Sequence, residues 1–85
     1  MNSDWRLLRG QDQYLQGAIL IKRRYQPCSP KNDHDHCEFC MAKFGFFEGN
    51  LTEGYCTEDR KIWICKECYK DFYKEFGWKL KLSQL

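Results

Sequence analysis

The sequence predicts a small α+β domain with several short strands and one amphipathic helix near its C-terminal end. Its 85 residues are enough for one domain, and 42% of them are apolar and 31% charged, as in folded chains rather than disordered ones. Before residue 65, segments rich in β-branched and aromatic residues alternate with turn-forming residues, and after it apolar residues follow a helical period. We therefore expect residues 1–85 to form a single domain.

The first strand is predicted over residues 17–25, which begin apolar and β-branched and stop before Pro27. On composition alone the same residues also fit a helix. Residues 22–24 are all basic, and adjacent strand residues point to opposite faces, so a solvated sheet edge is the simplest interpretation. Residues 11–16 lie between two glycines, which leaves room only for a short helical turn.

The middle of the chain is predicted to contain a loop and a hairpin. Residues 27–36 include two prolines and several turn-forming polar residues, so we expect a loop there. Residues 51–64 fit two strands joined by a polar turn over residues 57–60, with residues 61–64 as the second strand.

The clearest local prediction is an amphipathic helix that starts at Cys65. Six cysteine and aromatic residues recur there on one helical face: Cys65, Cys68, Tyr69, Phe72, Tyr73 and Phe76. We expect the aromatic members of this face to lie in the core, and Gly77 to end the helix. Residues 78–82 alternate between apolar and basic side chains, which predicts a last strand.

Four of the six cysteines form two C-x-x-C pairs, Cys37 with Cys40 and Cys65 with Cys68. A two-residue gap lets one tight turn present both sulfurs of a pair, and two pairs supply the four thiolates of a tetrahedral structural Zn²⁺ site. If Cys65 begins the helix, the positive end of the helix dipole also favours the thiolate form. The spacing therefore predicts one structural zinc ion. Two separate redox pairs, or an iron–sulfur cluster on the same thiolates, are the alternatives.

The order of these motifs over residues 36–77 resembles a treble-clef zinc finger, with a knuckle that carries the first cysteine pair, a β-hairpin, and a helix whose first turn carries the second pair. Zinc ribbons are the close alternative, but in ribbons a second hairpin carries the second pair. The resemblance implies a zinc-binding core over residues 36–77, with an added strand and loop in residues 1–30 and a terminal strand or tail in residues 78–85. The runs at 33–40 (DHDHCEFC) and 63–68 (WICKEC) also resemble small bacterial proteins, a likeness that implies no activity.

The charge balance argues against a protein that binds phosphates over a broad surface. The formal net charge is +2, and a site of four thiolates and one Zn²⁺ contributes −2, so the zinc-bound chain is neutral. The N-terminal residues lack the layout of a secretory signal, and no stretch approaches the roughly 18 apolar residues of a membrane span. We therefore expect a cytoplasmic protein without a membrane partner, and no small-molecule substrate is evident.

Residues 33–36 (Asp-His-Asp-His) are the one segment that raises the question of catalysis. They resemble the Asp-His motif of HNH nucleases of the endonuclease VII type, but in those enzymes the histidines lie between two cysteine pairs, whereas here they precede both. A simpler interpretation is that His36 or Asp35 hydrogen-bonds a cysteine sulfur or a backbone amide beside the metal. A third makes one of the histidines a zinc ligand together with Cys28 or Cys56, which are otherwise expected to be free thiols.

We expect a non-enzymatic binding module. Four thiolates leave no open coordination position for a reacting water, and the sequence contains neither a Gly-rich phosphate loop nor a serine elbow. Phe44, Phe46 and Phe47 cannot all point inward from an extended segment, and exposed aromatic residues mark partner surfaces. A protein partner is therefore expected. The alternative is a nucleic-acid-binding zinc finger, in which aromatic residues beside arginines, such as Tyr25 and Trp5, stack on bases.

Overall fold

The computed structural model describes residues 4–81, which fold into a mixed α+β arrangement. A short 3₁₀ helix at Trp5–Leu7 precedes the regular elements. In chain order the regular elements are α1 (Asp12–Leu15), β1 (Ile19–Arg24), β2 (His34–His36), β3 (Lys43–Gly45), β4 (Glu53–Cys56), β5 (Trp63–Ile64), α2 (Lys66–Phe76) and β6 (Lys79–Lys81).

Two sheets position the cysteine pairs. The larger sheet has the strand order β5-β4-β1-β6, in which β1 is antiparallel to β4 and parallel to β6, and β4 is antiparallel to β5. β2 and β3 form a separate antiparallel pair, with Asp35 opposite Phe44. The two sheets meet where Cys37, just after β2, forms an isolated bridge with Trp63 of β5. This bridge brings the end of β2 beside the start of α2.

Aromatic rings fill the core on the side of α2. Phe39 is fully buried, and its ring centroid lies 5.0 Å from that of Phe72 and 5.5 Å from that of Phe76. Trp78, which follows α2, packs on Phe39 and donates its indole N–H to the carbonyl of Leu15 at 2.9 Å. The core therefore joins the first cysteine turn, the helix that carries the second pair, and the N-terminal segment.

Several predicted elements are confirmed. β1 lies within the predicted strand at 17–25, and α1 occupies the predicted turn at 11–16. Cys65 is the N-cap of α2, and Gly77 ends this helix in the left-handed conformation (φ 65°), where a residue without a Cβ is favoured. β6 falls within the predicted last strand, whereas residues 82–85 lie outside the described residues.

The prediction of a loop over residues 27–36 is wrong for its last three residues. His34–His36 form β2 and pair with β3, so that His34 lies opposite Gly45 and His36 opposite Lys43. Strand preference depends strongly on context, and here the pairing across the cysteine turn outweighs the polar composition of the segment.

The apolar face of α2 is narrower than its spacing predicts. Phe72 and Phe76 are buried, but Tyr69 is only partly buried and Tyr73 is 37% exposed. Tyr69 stacks on Tyr55 of β4 with ring centroids 3.8 Å apart, and on Tyr73 at 5.4 Å. A tyrosine ring packs well at the margin of a core because its hydroxyl can then remain in contact with water.

The basic residues of β1 lie at a sheet edge, as expected. β6 pairs with Ile19–Ile21 and β4 with Ile21–Arg24, so within residues 4–81 the basic half of β1 has a strand on one side only. Lys22 and Arg24 are exposed there.

Candidate metal centre

The four predicted ligands come together in one cluster. The sulfur atoms of Cys37, Cys40, Cys65 and Cys68 all lie within 4.8 Å of one another, and those of Cys40 and Cys65 are 3.6 Å apart. In a tetrahedron with metal–sulfur bonds of about 2.3 Å, the sulfurs are about 3.8 Å apart. The cluster is therefore positioned to hold one metal ion.

The first pair is held by a tight turn between β2 and β3. The amide of Met41 donates to the carbonyl of Cys37 at 3.1 Å, and the amide of Cys37 donates to the carbonyl of Ala42 at 2.7 Å. Met41 has a φ of 70°, a conformation that L-residues other than asparagine and aspartate seldom adopt. This left-handed residue lies in the turn that reverses the chain between β2 and β3, directly after Cys40.

The second pair is held by the start of α2. The sulfur of Cys65 caps this helix by accepting the amide N–H of Cys68 at 3.4 Å, and Cys68 lies in the first turn. The two pairs are tied together by the amide of Glu38, which donates to the carbonyl of Trp63 at 2.8 Å, and by the amide of Cys65, which donates to the sulfur of Cys37 at 3.4 Å.

Backbone donors surround the sulfur of Cys37. It accepts the amide N–H groups of Phe39 and Cys65, both at 3.4 Å. Hydrogen bonds from the thiols of Cys65 and Cys68, together with those from the amides of Cys65 and Cys40, hold the pKa of Cys37 well below its ordinary value. The bond to Cys37 is also the largest cause of the raised pKa values of Cys65 (about 11) and Cys68. In the absence of metal, these hydrogen bonds thus favour the thiolate form of Cys37.

Burial differs among the four ligands. Cys37, Cys65 and Cys68 are buried, whereas Cys40 is partly exposed. Cys40 and Cys65 both line a hollow of about 370 Å³ whose walls are mainly apolar and include Ala42 and Leu51. Solvent therefore reaches the cluster from the side of Cys40.

The sequence gives no sign that Arg6 contacts this cluster. Its Nη1 donates to the sulfur of Cys68 at 3.4 Å and to Oδ2 of Asp71 at 3.0 Å. Its guanidinium also binds the carboxylate of Asp4, and this hydrogen bond lowers the pKa of Asp4 to about 2. The contact between Arg6 and Cys68 joins residues that are far apart in the chain, so no local sequence motif predicts it.

Within residues 4–81, the side-chain hydrogen bonds of Asp33–His36 go to groups other than the cysteine sulfurs. Asp35 accepts hydrogen bonds from the hydroxyl of Tyr25 at 2.7 Å and from the side-chain amide of Asn32 at 2.9 Å. Nδ1 of His34 lies 2.6 Å from Oδ1 of Asp33. Of the two side chains expected to support the metal site, His36 and Asp35, Asp35 thus binds a core tyrosine instead.

Within residues 4–81, the four cysteines are the one group of three or more candidate ligands that are close enough to share an ion. No second site that joins His34 or His36 to Cys28 or Cys56 forms in this part of the chain. Cys56 is fully buried, and its burial raises the pKa of its thiol to about 11, so it behaves as a small core residue.

Comparisons with protein-family models, with curated proteins and with solved structures find no match to this chain. Among the described residues, no helix has both the length and the apolar character needed to cross a membrane. The functional argument therefore depends on the metal cluster and its surroundings.

Proposed function

We propose that this chain is a non-enzymatic, cytoplasmic zinc-binding module that has a treble-clef-like core and binds a protein partner. The cluster of four cysteine sulfurs within 4.8 Å carries the proposal. The order of a cysteine turn, the β4–β5 hairpin and a helix capped by Cys65 supports the treble-clef assignment.

Zinc is proposed because the donor set consists of four thiolates and the ion is structural. Zn²⁺ accepts tetrahedral sulfur coordination without a geometric preference of its own and takes no part in redox chemistry. Native mass spectrometry combined with elemental analysis of protein purified under reducing conditions should find one zinc per chain. Iron at that stoichiometry, or a metal-free chain that is cooperatively folded, would refute the assignment.

The absence of catalysis is proposed from the same donor set. Four thiolates fill the coordination shell of Zn²⁺, so no position is left for a reacting water. The nuclease interpretation of residues 33–36 is tested by magnesium-dependent nicking of plasmid DNA, with a His34→Ala, His36→Ala double variant as the comparison. We expect no nicking, and nicking that the double variant abolishes would establish a nuclease.

A protein partner is proposed from the exposed aromatic residues after β3. Phe44 is fully buried, whereas Phe46 and Phe47 are 66% and 71% exposed. Adjacent exposed phenylalanines are the kind of side chain that protein interfaces bury, and aromatic residues are enriched there. A complex formed through them should withstand added salt, because apolar contacts are not screened.

The test compares the zinc-loaded protein with a Phe46→Ser, Phe47→Ser variant. We expect a purified partner to bind the unmodified protein at both 0.1 and 0.5 M salt and to lose affinity for the variant, while both proteins keep one zinc per chain. A partner that binds both proteins equally would place the interface elsewhere.

One observation favours nucleic acid as the second candidate. Arg24 and the exposed Phe46 line the same small hollow of about 140 Å³. An arginine that contacts a phosphate beside a ring that stacks on a base is a common arrangement in single-strand binding. Binding of a fluorescent oligonucleotide that falls steeply between 0.05 and 0.2 M salt, and falls further in Arg24→Gln, would favour this function over the first.

A further inference from the structure

One charged side chain reaches the sulfur cluster from outside both cysteine pairs. Nη1 of Arg6 lies 3.4 Å from the sulfur of Cys68 and donates to it. Charge-assisted hydrogen bonds are stronger than neutral ones, and donors beside metal ligands set the orientation and charge of those ligands. Arg6 therefore reaches the sulfur cluster from a segment that supplies no ligand.

The guanidinium of Arg6 is held in place on three sides. Its Nε lies 3.0 and 3.1 Å from the two carboxylate oxygens of Asp4, and Nη1 lies 3.0 Å from Oδ2 of Asp71. The group lies over the ring of Phe72, 4.5 Å from its centroid, and the side chain of Arg6 is 19% exposed. A planar group with five N–H donors can make all these contacts at once, whereas the ammonium of a lysine cannot.

The segment that carries Arg6 is itself fixed to the first cysteine turn. The side-chain amide of Gln11 donates to the carbonyls of Arg6 at 2.6 Å and Glu38 at 3.0 Å, and Arg9 donates to the carbonyl of Glu38 at 2.8 Å. The hydroxyl of Tyr14 donates to the carboxylate of Glu38. The N-terminal segment thus contacts the turn of the first pair and, through Arg6, a ligand of the second.

We propose that Arg6 is a positioning residue for the metal centre, where its N–H stabilises the bound thiolate of Cys68 and so strengthens metal binding. This inference rests on the proposed zinc function. A Zn²⁺ ion with four thiolates carries a net charge of −2, and Arg6 places a cation against it on the side of α2. Loss of Arg6 removes this cation, whereas the carboxylates of Asp4 and Asp71 that it binds remain.

The test uses Arg6→Gln, Arg6→Lys and a matched control, Arg60→Gln. Arg60 also donates across the fold, but to the carbonyl of Pro27 at 3.3 Å rather than to a ligand cysteine. Zinc affinity is measured by competition with a chromogenic chelator. Loss of a group that supports a metal ligand typically costs about ten- to a hundredfold in affinity, and we expect a loss of this size for Arg6→Gln. Arg6→Lys should fall between that variant and the unmodified protein, and Arg60→Gln should match the unmodified protein.

Substitution of Co²⁺ for zinc gives an absorption spectrum that does not depend on the overall stability of the protein. A hydrogen bond to a thiolate lowers the energy of its lone pairs, so the thiolate-to-cobalt charge-transfer band should shift to longer wavelength in Arg6→Gln and stay unchanged in Arg60→Gln. Unchanged affinity and an unchanged band in Arg6→Gln would overturn the inference. Equal losses of affinity in Arg6→Gln and Arg60→Gln without a band shift would also overturn it, because the role would then be structural only.

The two proposals fail in different ways. If the unmodified protein binds neither Zn²⁺ nor Co²⁺, the proposed function fails and this inference falls with it. If the unmodified protein binds both ions and the Arg6 variants behave like it, the inference alone fails. Should Arg6→Gln not fold, a band and an affinity in Arg6→Lys that equal those of the unmodified protein would overturn the inference.

Discussion

Replacement of one ligand cysteine by serine should remove the metal and unfold most of the chain. Cys68→Ser and Cys40→Ser both change one sulfur of the cluster, one on α2 and one in the turn between β2 and β3. A neutral hydroxyl is a much poorer zinc ligand than a thiolate. The two ligand pairs lie on opposite sides of residues 41–64, so loss of the ion also removes the link between the two ends of this segment.

The size of the metal contribution makes this effect severe. Structural zinc contributes about 10–16 kcal/mol in small zinc peptides at neutral pH. At roughly 0.05–0.15 kcal/mol per residue, a chain of this length has a net stability of only about 4–13 kcal/mol. Loss of the metal contribution therefore consumes most of the net stability or exceeds it.

The assay combines the zinc content per chain with urea unfolding followed by circular dichroism. The matched control is Cys56→Ser, because Cys56 is as deeply buried as Cys68 but lies outside the cluster. A buried hydroxyl without a good partner costs about 1–3 kcal/mol, so this control should be less stable, but still cooperative and loaded with one zinc.

Two results would refute this reasoning. If Cys68→Ser unfolds cooperatively without bound metal, the ion does not determine whether the chain folds. If Cys56→Ser loses its zinc, the ligand assignment is wrong, and Cys56 must replace one of the four cysteines of the cluster.

Three further predictions follow from local geometry and charge. The raised pKa values of Cys65 and Cys68 mean that both thiols must lose protons to bind metal. Zinc affinity should therefore increase with pH, by at least about a hundredfold per unit between pH 6 and 8, and a flat chelator-competition profile would contradict this. A Cβ at Gly54 would lie 2.8 Å from the carbonyl oxygen of Ile64. Gly54→Ala should therefore lower the free energy of unfolding of the zinc-loaded protein by about 1–3 kcal/mol in urea. An unchanged midpoint of urea unfolding would show that the backbone moves freely to relieve this contact. Met41 has a φ of 70°, so Met41→Gly should relieve strain and raise the free energy of unfolding in urea by up to about 1 kcal/mol. A lower free energy of unfolding would mean that the side-chain contacts of Met41 matter more than its backbone conformation.

The parts of the fold that depend on local pattern could be predicted from the sequence. α2 follows from a helical period that ends at a glycine, and its N-cap at Cys65 follows from the position of the second cysteine pair. The ligand set itself could be predicted because two C-x-x-C motifs restrict where the sulfurs can lie. In each case the information is contained in residues a few positions apart.

Features that depend on distant residues could not be predicted in this way. β2 has the composition of a loop and becomes a strand because β3, beyond the cysteine turn, supplies hydrogen-bond partners. His36 or Asp35 was expected to form a hydrogen bond beside the metal, yet Asp35 binds the hydroxyl of Tyr25, which lies directly after β1. Spacing along the chain defines a ligand pair, but it does not say which segment packs against it.

Arg6 shows why the surroundings of a metal site are harder to predict than its ligands. Thiolate ligands need a fixed spacing because one turn must present two sulfurs to one ion, and this requirement leaves a pattern in the sequence. A donor that contacts a ligand from outside needs only to reach the sulfur, so it can come from any segment that the fold brings near. Arg6 approaches Cys68 because the N-terminal segment is fixed by Gln11 to the first cysteine turn. The residues that adjust the affinity of such a site are therefore to be sought among side chains that the fold brings to the ligands, not among the neighbours of the ligands in sequence.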